Sequence, residues 1–109
     1  MGLFSIFMGA AARGETIKDS SSMIVIDVRT ASEYSEGHVK DAINIDVTSS
    51  EFKTKVEQLD KNKTYKVYCR SGNRSGQAER QMKALGFKDV ENIGGVQQAA
   101  PRLNRQIVK

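Results

Sequence analysis

Cys69 is the only cysteine among 109 residues, and it stands where an apolar run breaks into glycine and charge, in "YKVYCRSGNRSGQAERQ". Sulfur is a strong nucleophile only as a thiolate, so the question is what could hold it ionised. Arg70 and Arg74 both follow within five residues, and a neighbouring cation favours the charged form. Gly72 relaxes the backbone between them, so loop N–H groups can converge on one centre. If a helix begins near Ser75, its positive end adds to the same field. Such activation needs no histidine base. The competing reading is a small buried thiol that merely fills core space. Residue types and spacing leave both readings open.

The chain must fold so as to bring these groups together. "SSSMIVIDVRT" is a turn followed by a continuous β-branched run, Met23 to Val28, as expected of a strand buried on both faces. Asp41 to Val47 is a second short strand, and Lys63 to Cys69 a third. Between them, "SSEFKTKVEQLD" places Phe52, Val56 and Leu59 at helical spacing. "SGQAERQMKALGF" is the strongest helix, with Ala78, Met82 and Leu85 on one face and Gly86 as its stop. "KDVENIGG" supplies a last short strand, and "VQQAAPRLNRQIV" a helical tail whose continuation Pro101 restricts. Strands alternating with helices predict an α/β fold, a small parallel β-sheet with helices on its faces. In open parallel sheets ligands collect outside the carboxyl ends of the strands. Asp27 and Cys69 both lie at such an end, which makes both candidates for a site.

Length and composition predict one domain large enough for a core without disulfides or metal staples. One cysteine and one histidine supply neither an internal disulfide nor a zinc-ligand cluster, so no metal is expected, and a reducing, cytoplasmic setting is. The net charge of +4 is spread among interleaved acids, and tryptophan is absent, so no basic, aromatic nucleic-acid surface is expected. A small anion needs only one local cluster of cations. Residues 1–15, beginning "MGLFSIFMGAAAR", form an apolar segment read as a short packing helix ahead of a domain over 16–109. Its apolar run is too short to span a bilayer, lacks a basic lead, and has Ile6 where myristoylation requires Ser or Thr. No membrane association is expected.

"CRSGNRS" before a helix, "IVIDVRTASEYSEGHVKDAINID" upstream and "GFKDVENIGGV" downstream together resemble a single-domain rhodanese. The resemblance runs from about Ile24 to Val96, three blocks in the family's order. It implies a rhodanese-like fold and a sulfurtransferase. Cys69 would take a sulfane sulfur from thiosulfate or a similar small donor, hold it as a covalent persulfide, and pass it to an acceptor. No separate cofactor is implied. The acceptor would be an external thiol, cyanide or a protein, because no second cysteine can resolve the persulfide internally. Within the loop, Arg74 is the first choice for gripping the donor's oxyanion and Arg70 the second. Ser71, Gly72 and Asn73 would contribute backbone N–H groups, and Ser75 would cap the helix. Asp27 and Arg29 match a block beside the family's active loop and are read as a buried bracing pair. Glu33 and His38 also match the family, His38 being read as structural.

Two departures bear on specificity. Lys40-Asp41 stands where many relatives have Pro-Gly, and "GGVQQAA" lacks the tryptophan that often follows the glycine pair. Two other functions compete. A Cdc25-like phosphatase loop requires five residues between cysteine and arginine, whereas four separate Cys69 from Arg74. A non-catalytic interaction module would be expected to lose the cysteine, which this chain keeps.

Overall fold

A computed structural model describes Ile17 and residues 23–109, and these residues form six strands and four helices. The expected N-terminal helix over 1–15 lies outside the described residues. Strand β1 (Met23–Asp27) is central because its β-branched side chains are buried toward both faces of the sheet. It pairs in parallel with β3 (Ile43–Asn44) on one side and β4 (Thr64–Cys69) on the other. Strand β5 (Asp89–Gly95) adds parallel to β4, giving the order β3-β1-β4-β5.

Alternation along the strands divides the core in two. Ile26, Tyr65 and Val67 face Phe52 and Val56 of α2 (Phe52–Val56) and Ala78 and Met82 of α3 (Asn73–Ala84). On the opposite face Val25, Tyr68 and Ile93 pack against Val39, Ala99 and Leu103, the last two from α4 (Val96–Leu103). Ile26, Met82, Ile93 and Leu103 are almost completely buried, and each such side chain contributes about 1.5–3 kcal/mol of transfer free energy. This is the parallel α/β sheet that the sequence predicts, with helices on both faces.

The differences from expectation have local causes. The strand expected over Asp41 to Val47 shrinks to two residues. Asp41 takes φ 67°, and the Asp46 carboxylate accepts from the Thr48 N–H to start a turn. Helix α1 (Ala31–Glu36) was not expected, yet Thr30 and Glu33 close a reciprocal capping box at its start. The tail helix stops at Asn104, whose left-handed backbone turns the chain. Beyond it, β6 (Ile107–Val108) pairs antiparallel with β2 (His38–Val39), fastening the tail beside α1. Gly86 performs its expected role: with φ 99°, it lets the Phe87 N–H reach back to the Met82 carbonyl.

Candidate active site

Strand β4 delivers Cys69 to the carboxyl edge of the sheet, and α3 begins four residues later. Gly72 joins them with φ 105°, a conformation that a side chain would strain. That turn aims the Gly72 N–H at Cys69 Sγ, 2.9 Å away. The Ser75 hydroxyl lies 3.4 Å from the same sulfur. Burial pushes the thiol up. Hydrogen bonds from the Ser75 hydroxyl and from the Ser75, Gly72 and Ser71 N–H groups outweigh it, leaving Cys69 below its ordinary pKa. A sulfur that only filled core space would meet carbon on all sides; this one meets donors. Cys69 is fully buried while Arg70, Ser71 and Asn73 are exposed, so the sulfur lies one layer beneath the surface.

Ser75 corrects one expectation. It is the third residue of α3 rather than its cap, which is Gly72, because the helix starts already at Asn73. Ser75 is buried, and its hydroxyl donates to Asn92 Oδ1 at 2.7 Å. Arg74 has a partner that the sequence did not suggest. Its guanidinium is gripped at both ends by Glu33, with Nη1–Oε1 at 2.8 Å and Nη2–Oε2 at 3.0 Å. The expected first anion grip is therefore paired with a carboxylate on α1. The Arg74 hydrogen bond overcomes the opposing effect of burial and, with help from Thr30, holds the Glu33 carboxyl at about 2.

Arg70 stands differently. Exposed at the end of β4, it lines an open cleft of about 590 Å³ together with Arg29, Glu33, Glu36, Val96 and Ile107. Val96 and Gln97, which follow the Gly94-Gly95 pair, form part of its wall.

Asp27 and Arg29 form the buried bracing pair. Arg29 Nε donates to both carboxylate oxygens at 3.0 Å, and Nη2 to Oδ2 at 2.7 Å. The other ties of this pair give it its bracing role. Arg29 Nη2 also donates to the Gly37 carbonyl, which fixes the end of α1, and the Tyr68 hydroxyl donates to Asp27 Oδ2. Tyr68 in turn accepts from the Val39 N–H. Burial lowers the Arg29 pKa, but hydrogen bonding and attraction to Asp27 more than offset it. A buried pair with all its partners satisfied organises the residues around it. His38 stacks on Tyr34 with ring centroids 3.6 Å apart and has Nδ1 on the Tyr34 carbonyl, a structural placement.

Sequence reasoning missed Asn92. Its Nδ2 donates to the Gly72 carbonyl at 3.0 Å, and its Oδ1 accepts from the Gly94 N–H at 2.9 Å. A bulge in the β4–β5 ladder sets this up, with Val67 opposite Asn92 but Cys69 opposite Gly95. The available signal was a lone amide in mid-strand, on the same face as Val90 and two residues before the Gly94-Gly95 pair. Among the described residues no three His, Cys, Asp or Glu side chains gather as a metal site, and no helix is long and apolar enough to cross a membrane.

Comparison with known proteins agrees with this arrangement. The family described as Rhodanese-like domain matches residues 11–99. Thiosulfate sulfurtransferase PspE of Escherichia coli (strain K12) is 41% identical over 75 residues, covering 69% of this chain and 72% of that protein. Putative sulfurtransferase YtwF of Bacillus subtilis (strain 168) is 36% identical over 89 residues, covering 82% of this chain and 84% of that one. A solved structure described as rhodanese with anions from E. coli superposes with a TM-score of 0.65 at 38% identity, over 80% of this chain and 98% of that one. With its parallel sheet, its cysteine loop and this breadth of match, the chain belongs to the rhodanese-like sulfurtransferase family.

Proposed function

We propose that the chain transfers sulfane sulfur from thiosulfate, by way of a persulfide on Cys69, to an external thiophilic acceptor. The observation that carries this reading is the set of polar groups around a single sulfur: the Gly72 N–H points at Sγ from 2.9 Å and the Ser75 hydroxyl lies within reach at 3.4 Å, and with the Ser71 and Ser75 N–H groups they favour the thiolate despite burial. The thiolate attacks the outer sulfur of thiosulfate and forms a Cys69 S–S bond. The sulfur–sulfur bond of the donor breaks, and sulfite departs with its electron pair. An acceptor such as cyanide, a small thiol or a protein thiolate then attacks the outer sulfur and returns Cys69 to its thiolate.

The loop N–H groups that favour the thiolate also suit the persulfide anion, so little reorganisation separates the two states. Arg70 is the residue suited to draw in the dianion, since Arg74 is held by Glu33. Because the sulfur lies one layer below the surface, a small donor suits it better than a bulky one. The relative named as a thiosulfate sulfurtransferase supports thiosulfate as donor. A reducing, cytoplasmic setting fits a thiol kept free. The test is thiocyanate formation from thiosulfate and cyanide. Turnover that disappears in Cys69→Ser is expected; turnover surviving that substitution would overturn the proposal.

A further inference from the structure

The buried Ser75 hydroxyl has two acceptors within reach and only one hydrogen. It lies 2.7 Å from Asn92 Oδ1 and 3.4 Å from Cys69 Sγ. The Asn92 amide cannot be turned over to resolve this. Its Nδ2 must donate to the Gly72 carbonyl and its Oδ1 must accept from the Gly94 N–H, and neither backbone group can exchange roles. Oδ1 therefore faces the hydroxyl, and at 2.7 Å Ser75 must be the donor. While that bond stands, Ser75 offers the sulfur only a lone pair, which suits a thiol S–H. A thiolate or persulfide requires the hydroxyl hydrogen to swing to Sγ, after which Oδ1 keeps the Gly94 N–H alone.

We propose that Asn92 is a positioning residue that competes with Cys69 for the single hydroxyl hydrogen of Ser75 and so sets how readily the sulfur ionises. Asn92 touches no reacting atom; it acts through Ser75. Other charges also face this sulfur. Arg74 on α3 interacts with it and is itself faced by Glu33 of α1 and by Asp46 after β3, while Arg70 adjoins it in the chain. Substitution of Asn92 leaves all four in place.

The proposal rests on Cys69 as the reacting sulfur, and its test does not depend on the sulfur donor. Thiolate absorbance in the ultraviolet is followed against pH, with Cys69→Ser as the blank. Asn92→Ala frees the hydroxyl for the sulfur and should move the titration to lower pH, raising the thiolate-to-thiol ratio about threefold to tenfold at a given pH. Ser75→Ala should move it to higher pH. In the Ser75→Ala background, adding Asn92→Ala should produce no further shift toward lower pH. An upward shift or none in Asn92→Ala, or the same downward shift in both backgrounds, would show that Asn92 only anchors the loop and would overturn the proposal. If circular dichroism shows that Asn92→Ala is unfolded, Asn92→Asp decides the matter. Its added charge raises the titration in any background, so it is compared with and without Ser75→Ala: a larger rise with Ser75 present is expected, and equal rises would overturn the proposal. Absence of thiosulfate turnover in all variants would bear on the donor and leave this titration interpretable.

Discussion

Replacing Glu33 with Gln isolates the ion pair between α1 and the cysteine loop. Glutamine keeps a carbonyl oxygen for the Thr30 capping box, so the helix start is preserved while the charge is removed. The Glu33 carboxyl lies at about 2 rather than 4.5, chiefly because of Arg74, a displacement equivalent to at most about 3–4 kcal/mol. The two side chains are 25% and 26% exposed, so water screens part of the attraction, and a loss of about 1–2 kcal/mol at pH 7 is expected. The folded protein holds this carboxyl ionised more firmly than the unfolded chain does. Its contribution is therefore complete above about pH 4.5 and falls away as the pH drops toward 2. Urea unfolding of both proteins at pH 7 and pH 3 measures this directly. The stability difference should shrink to under half of its pH 7 size by pH 3. An equal difference at both pH values would mean that the loss arises from packing or capping, and would refute the electrostatic reasoning.

Arg70→Ala should raise KM for thiosulfate about fivefold with little change in kcat, as expected for one exposed cation that attracts an anion. An unchanged KM would return the anion grip to Arg74 despite its pairing with Glu33. Gly95→Ala would drive a Cβ into the Arg70 carbonyl, backbone that cannot rotate away. A cost of about 1–3 kcal/mol in thermal unfolding, together with slower sulfur transfer, is expected. A variant with wild-type stability and rate would show that β5 does not press on the loop.

The sheet was legible because apolar runs and helical spacing report burial directly, as in Met23 to Asp27 and in Ala78 and Met82 of α3. Cys69 was legible for another reason: strand end, glycine and helix are local features, and together they predict converging N–H groups. What stayed hidden depends on partners distant in the chain. Nothing near Arg74 announces that Glu33, 41 residues away, will pair with it. Ser75 reads as a cap from its neighbours alone; its buried role requires Asn92, placed by a bulge in another strand. The short strand β6 was hidden for the same reason, since two residues become a strand only through His38 and Val39. Helix α1 is the exception, because Thr30 and Glu33 spell its capping box within four residues.

Cys69 is proposed to carry the transferred sulfur. Intact-mass analysis of the reduced protein after incubation with thiosulfate and removal of excess donor tests it most directly. A gain of one sulfur atom is expected, lost on addition of cyanide and absent in Cys69→Ser. An unmodified wild-type protein, or a sulfur that persists in Cys69→Ser, would contradict it.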